Sequence, residues 1–318
     1  MNRRELLRQS AAVGLAAGLG SVCGSSSAAM QTSASASAAD KISAFPVPSG
    51  AKLPAAFVLG KDAEVLDFCG PLEVLAGAAT KDGMQLFAPY TVAATKAPVT
   101  VRGNMKVLPD YDFKTAPQPK VIVIPAMDMT QATEEMCDWI RTASKETDVT
   151  MSVCTGAFVL AKTGLLNGKS ATTHHSGYFM LAANYPRVHL VRGARFVERG
   201  NLATAGGVSS GIDLAIRVVE RYVGREATDE LIDMLEYQGK GWRNADSNEA
   251  FARMPELTGH TPICPVCFMG ADRSISANYR GKTYYFCMED HKSLFEKHIG
   301  VFDRFLAEDT AAGSKLNI

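Results

Sequence analysis

Tryptophan and histidine are scarce in this 318-residue chain, two and six respectively, and there are only seven cysteines. So few thiols in a chain of this size exclude a disulfide-built scaffold. Neither charge is in excess, because 33 Lys and Arg face 33 Asp and Glu. Such a balance argues against a strongly basic nucleic-acid binder and leaves no acidic tail for a basic partner. Beyond the N-terminal segment no uninterrupted apolar run is long enough to span a bilayer, so no membrane span is expected in the mature chain. The glycine signatures that cradle phosphates, GxGxxG after a first strand and GxxxxGK[ST], are also missing, which argues against nucleotide binding. What is present is an apolar fraction of 47% with 21% charge, ordinary for a folded soluble protein. The length leaves room for roughly two domains.

The first residues do not read as part of a fold. NRRELLR, with adjacent Arg3 and Arg4, precedes the small apolar run AAVGLAAGLGSV, and a Ser/Ala tract follows. A positive head, an apolar middle and a small-residue exit make 1–29 an export signal, with cleavage expected after Ala29 and a periplasmic destination. The stretch resembles a twin-arginine signal, although Asn2 and Leu6 replace the usual Ser/Thr and Phe. Lipid anchoring through Cys23 is a minor alternative, since bulky Val22 precedes it. Residues 30–50 can bury almost nothing and read as a disordered linker.

From 51 to 225 the pattern is α/β. LPAAFVLG and the nearly all-apolar KVIVIPAM read as buried strands. A helical stripe over EVLDFCGPLEVLAGAA is interrupted near Gly70-Pro71. VTVRGNMKVLPDYDF reads as a hairpin or short extended pair, Thr130–Thr142 as helix, and VTMSVC as a strand running directly into the helix TGAFVLAKTGLL. Residues 209–224 form a long amphipathic helix. Strand–helix alternation at this spacing implies a mostly parallel sheet with helices on both faces, and such sheets carry their chemistry at the carboxyl ends of strands.

Cys154 sits at such an end. A strand, a sharp turn and a helix push the turn side chain clear of the sheet and aim backbone N–H groups at whatever it attacks. A helix N-terminus is also expected to lower the thiol pKa. The competing reading is a buried structural cysteine, as expected for Cys69 and Cys137. Asp67 follows the first strand, so its carboxyl can meet Cys154 and move a proton, or it can cap the helix that follows. His174 and His175 end another strand and read either as partners of Cys154 or as pocket wall. Gly206 and Gly207 form a close-approach turn before the long helix.

DFCGPLEVL, CTGAFVLAKTGLLNGKSATTHH and GNLATAGGVSSGIDLAI resemble, in order and spacing, blocks of the ThiJ/PfpI family of the class I glutamine amidotransferase-like fold, over about 52–225. The nearest branch is that of the isocyanide (isonitrile) hydratases, with the sensing halves of some AraC-type regulators. The resemblance implies a flavodoxin-like sandwich, a homodimer, Cys154 as nucleophile, Asp67 as acid and Thr155 as the residue after the nucleophile. In that branch these groups add water to an isocyanide and yield an N-substituted formamide. Ala126-Met127 stands where the family carries a glycine pair, and His175 where the branch often has tryptophan. Ala126 is expected to offer its N–H to an oxyanion and Met127 to narrow the pocket.

Residues 226–262 read as a helical extension and linker, with a short helix at SNEAFARM. Over 263–306, Cys264 and Cys267 are spaced C-x2-C, and Cys287 and His291 C-x3-H. Four N/S donors in this layout form a tetrahedral structural-metal signature, with a Cys264–Cys267 disulfide as the alternative. TYYFC reads as a strand delivering Cys287, and HKSLFEKHIGVF as the helix carrying His291. A unit of about forty residues needs such a staple to fold. PVCFM, YRGKTYYFC and FEKHIGVF resemble the YHS/TRASH-type metal-binding domain, a small zinc-ribbon-like fold. Zinc is the expected metal and copper the second choice. His260 and His298 fall outside the spacing and are expected to face solvent, and 307–318 is expected to be a flexible tail. Three function classes follow: a cysteine-dependent enzyme that needs no cofactor for its chemistry, a ligand or metal sensor, and a protective protein oxidised at Cys154.

Overall fold

The computed structural model describes residues 44–47, 50 and 52–312. The export segment with Cys23, most of the linker and residues 313–318 lie outside the described residues.

β1 (Leu53–Val58), α1 (Val65–Gly77) and β2 (Phe87–Ala93) make the first strand–helix–strand unit. β3 (Val99–Thr100) and β4 (Lys106–Val107) pair as the expected hairpin, and β5 (Tyr111–Asp112) then lies parallel to β2. β6 (Val121–Ile124), α2 (Glu134–Ala143) and β7 (Val149–Val153) follow, with α3 (Gly156–Lys162) leaving β7 at once. α4 (Tyr178–Asn184) separates β8 (Ser170–Ala171) from its parallel partner β9 (His189–Leu190). β10 (Phe196–Arg199) and β11 (Leu202–Ala205) form an antiparallel pair, and α5 (Ser210–Met234) closes this part of the chain.

Seven of these strands form one sheet in the order β10-β11-β7-β6-β1-β2-β5, parallel except for β10. This mixed, mostly parallel α/β sheet is consistent with a flavodoxin-like fold. Every residue of β6 and β7 is buried, as strands covered on both faces require. Right-handed crossovers from β1 to β2 and from β6 to β7 run in opposite directions, so α1 and α5 form one layer and α2 and α3 the other. The two layer contacts are present, α1 on α5 and α2 on α3. The strand order reverses between β1 and β6, and this reversal puts a crevice at their carboxyl ends.

Three local expectations are corrected. α1 continues through Pro71 although a proline there loses the hydrogen bond to the Asp67 carbonyl and crowds that oxygen, because Phe68, Pro71, Val74 and Leu75 on either side of the break are all buried. α2 begins at Glu134, where the Thr133 side chain accepts from the Met136 N–H; a separate 3-10 turn covers Met129–Gln131. The ordered chain also begins before 51: the Phe45 N–H donates to the Arg221 carbonyl (2.8 Å), and its ring lies 4.7 Å from that of Tyr222.

Past Gly224, whose φ of 79° breaks the α5 helix, the chain runs back across the α/β body. The segment expected to be a short helix at SNEAFARM is a 3-10 turn over Glu249–Phe251. β12 (Asp272–Tyr279) and β13 (Lys282–Phe286) form a bulged antiparallel hairpin, followed by α6 (Glu289–Lys297) and α7 (Ile299–Ala311). His298 breaks the helix expected there and is half-buried rather than solvent-facing, whereas His260 is exposed. This small region does not enclose its own core. Phe286, Phe295, Phe302 and Phe305 share one apolar cluster with Tyr178, Phe179, Ala182 and Ala183 of α4. The Phe179 ring stacks over Phe295 at 6.2 Å. α7 extends into the stretch expected to be a flexible tail, because buried Asp309 accepts from Arg192 (2.8 Å) and from the Met254 N–H (3.0 Å). No helix among the described residues is long and apolar enough to cross a membrane.

Candidate active site and metal centre

Cys154 occupies the turn between β7 and α3 with φ of 57°, a left-handed conformation that residues other than glycine seldom adopt. Its backbone is held on both sides: its N–H donates to the Gly206 carbonyl (2.9 Å), and its carbonyl accepts from Thr173 Oγ1 (2.8 Å). The turn is this tight because Gly156 follows. A Cβ there would lie 2.2 Å from the Ile124 carbonyl oxygen, so the first turn of α3 sits directly on the end of β6.

Asp67, in the first turn of α1, is fully buried. Its Oδ2 accepts from the Ala126 N–H (2.9 Å), while Oδ1 has no hydrogen-bond partner. Burial above all, with Glu64 nearby, pushes this carboxyl up to about 7; the Ala126 N–H and Arg102 act in the opposite sense. Cys154 departs from expectation. Burial and the Asp67 charge push its thiol up to about 12, against the lowering effect of backbone hydrogen bonds from Thr155 and Val208. The short α3 helix does not overcome the loss of water around a thiol that is only 8% exposed. At neutral pH the site therefore holds a protonated thiol beside a carboxyl poised to gain or lose one proton.

The structure brings together Cys154, Asp67 and the Thr155 backbone, and it adds the Val208 N–H, which sequence patterning did not single out. It places Ala126 and Met127 elsewhere than expected. The Ala126 N–H is engaged by Asp67, and Met127 is buried with its sulfur packed on Gly60. His174, His175 and Gly207 line a cleft of about 200 Å³ that also includes Thr173 and Val208, both of which contact Cys154. Gly206, Ala126 and Met127 are not among its walls. Gly207 has no room for a side chain, because the His174 ring lies 2.7 Å from where its Cβ would be. Burial lowers His174 to about 4, and its Nδ1 accepts from the Ser176 N–H, so the neutral ring carries its proton on Nε2. Tyr178, Ser209, Arg195, Asn248 and Phe251 complete the cleft, and no local motif marks the last three. Cys137 is fully buried as expected, but Cys69 is only half-buried.

The second site is the C-terminal cluster. Cys264, Cys267, Cys287 and His291 bring four ligand atoms within 4.8 Å of one another, and all three cysteines are free thiols. Cys264 Sγ is 3.6 Å from His291 Nδ1, and Cys267 Sγ is 3.6 Å from Cys287 Sγ. A tetrahedron with metal–sulfur bonds near 2.3 Å has edges of about 3.8 Å, so the spacing suits a tetrahedral ion without a disulfide. The C-x2-C pair turns tightly because the Phe268 N–H donates to the Cys264 carbonyl (2.8 Å), with Phe268 at φ 57°. β13 delivers Cys287, and the first turn of α6 delivers His291. Three thiols and an imidazole are a donor set that suits a zinc-like ion.

A DJ-1/PfpI family model matches residues 54–221. Isonitrile hydratase of Pseudomonas putida is 32% identical over 185 residues, covering 57% of this chain and 77% of that protein. The HTH-type transcriptional regulator GbdR of Pseudomonas aeruginosa is 23% identical over 184 residues, half of its length. Among solved structures, a ThiJ/PfpI family protein from Pseudomonas syringae is similar with a TM-score of 0.54 at 25% identity, covering 61% of this chain and 78% of that one.

Proposed function

Given that the chain belongs to the DJ-1/PfpI family, whose likeness to an isonitrile hydratase supports cysteine-dependent lyase or hydrolytic chemistry in general, we propose that it hydrates a small isocyanide to an N-substituted formamide. The observation that carries this reading is the fully buried Asp67 carboxyl, raised to about 7, whose charge is felt by the protonated Cys154 thiol. Ionised Asp67 takes the thiol proton as sulfur bonds to the terminal carbon of the isocyanide. The same proton then passes to that carbon, which gives an enzyme-bound thioimidate and restores the carboxylate. Water adds across the C=N bond with Asp67 moving its proton to nitrogen. The C–S bond breaks, the formamide leaves, and the hydroxyl proton returns to sulfur. The Thr155 and Val208 N–H groups stabilise sulfur while it carries charge.

The test is a panel of isocyanides, glyoxals and short amides with product detection by NMR. The Cys154→Ser variant abolishes formamide formation, and Asp67→Asn lowers kcat by about 100-fold, the usual worth of a positioned acid–base group. Turnover that survives Cys154→Ser refutes the mechanism. A ligand-sensing role on the same fold is the second reading, and it is favoured by a thiol that keeps its proton up to about 12. That same raised pKa weakens a role for Cys154 as a redox sensor, which requires a thiolate.

The remaining proposals concern the rest of the molecule. The C-terminal region is a YHS/TRASH-type, zinc-ribbon-like domain whose Cys264, Cys267, Cys287 and His291 hold one structural zinc, with copper as the second choice. Four protein ligands leave no open position for substrate, so the metal has no part in the Cys154 reaction. Residues 1–29 direct export to the periplasm by the twin-arginine route, and the mature protein is a homodimer.

A further inference from the structure

The cleft beside Cys154 is completed by chain that lies beyond the family-matched segment 54–221. Asn248, buried, accepts from Arg195 Nη1 (3.0 Å) and donates to Ser210 Oγ (3.2 Å). Phe251 stacks on His175 with centroids 5.1 Å apart and planes 18° apart, and half its surface stays open. The segment that carries them is anchored on fully buried Asp213, which accepts from the Trp242 N–H (2.9 Å), Tyr237 Oη (3.1 Å) and Arg195 Nε (2.6 Å).

This wall decides the charge of the cleft. The Arg195 guanidinium is paired with Asp213 and tied to Asn248 and Ser209, so it has already spent its charge within the protein. Burial holds His174 and His175 below their ordinary range, so both rings are neutral at neutral pH. Besides ring surface from Phe251 and His175, the apolar Val208 and a neutral His174, the lining is made of the uncharged Thr173, Tyr178, Ser209 and Asn248, which leaves the Asp213-paired Arg195 as its charged residue. The volume of about 200 Å³ is small beside typical ligand sites. Val208 belongs both to the wall and, through its N–H, to the Cys154 sulfur.

We infer that this cleft is the route by which small uncharged molecules bearing a flat or apolar group reach Cys154, and that Phe251 sets their size limit. The inference rests on Cys154 as the reacting group and defines which substrates it meets. An anionic ligand would lose its water here without gaining an unpaired cation.

Two thiol reagents of nearly equal shape test this on the zinc-loaded full chain: neutral N-(4-carbamoylphenyl)maleimide and anionic N-(4-carboxyphenyl)maleimide. Adducts at Cys154 and at half-buried Cys69 are followed separately by peptide mass spectrometry. The expected result is a preference of at least about tenfold for the neutral reagent at Cys154, with little preference at Cys69. Phe251→Ala speeds addition of the neutral reagent at Cys154, and Phe251→Trp slows it, with Cys69 unchanged in both. Equal rates for the two reagents at Cys154, no response to either Phe251 variant, or no Cys154 adduct in wild type and Phe251→Ala alike would overturn the inference. Formamide formation is a separate readout: its absence with gating intact removes the hydratase reading alone, and its presence without gating removes this one alone.

Discussion

Asp67 makes the pH dependence of stability a direct probe of the site. Its carboxyl is raised from 3.8 to about 7 in the folded protein, with burial as the largest cause. A raised acid binds its proton more tightly when folded, so its stabilising contribution is complete below pH 3.8 and is lost as pH rises through about 7. At about 1.4 kcal/mol per tenfold change in proton affinity, the full loss is about 4 kcal/mol, most of it between pH 4 and pH 7. Asp67→Asn removes this titration while keeping an oxygen for the Ala126 N–H. Wild type and variant are compared by thermal unfolding at half-unit steps from pH 4.5 to 8.5, in parallel with Cys154→Ala. The Asn variant gains on wild type as pH rises and is the more stable of the two above pH 7. Cys154→Ala keeps the wild-type slope, because the thiol is uncharged throughout that range. A wild-type-minus-variant difference that is flat with pH, or that favours wild type at pH 8, would mean Asp67 is an ordinary ionised carboxylate and would remove the proton carrier from the mechanism.

Metal removal is expected to reach beyond the metal region. Cys287→Ser abolishes bound zinc by elemental analysis and speeds hydrogen exchange in α4 as well as α6, because Phe179 packs in the core that the metal organises; unchanged α4 protection would separate the two. Arg192→Ala strands the buried Asp309 carboxylate and costs about 3 kcal/mol or more, read as a lower melting temperature, and Arg192→Ala/Asp309→Asn recovers part of that loss. A reporter fused to residues 1–35 is exported, and Arg3→Lys/Arg4→Lys traps it inside; export that survives the double change removes the twin-arginine route while leaving the signal itself.

Local pattern determined a great deal of this molecule. The apolar runs at 53–60, 120–127 and 149–154 read as buried strands, and a strand running straight into TGAF puts Cys154 at a turn. The C-x2-C and C-x3-H spacings likewise brought four ligands together, because each pair is set within a single turn of chain. Tertiary structure decided what depends on distant chain. Whether Cys154 is acidic or basic rests on how much water reaches it and on a carboxyl 87 positions away, so helix position alone pointed the wrong way. The Ala126 N–H was legible as a donor, but its recipient, Asp67, emerged only when α1 and the end of β6 were set side by side. Phe251 and Asn248 carry no motif, because a residue that closes a cleft from outside the fold needs only to arrive there. The C-terminal region looked self-contained from its ligand spacing, yet an apolar face on α4 completes its core. Spacing along a chain sets which groups share a turn; desolvation and shared cores are set by what the rest of the chain packs around them.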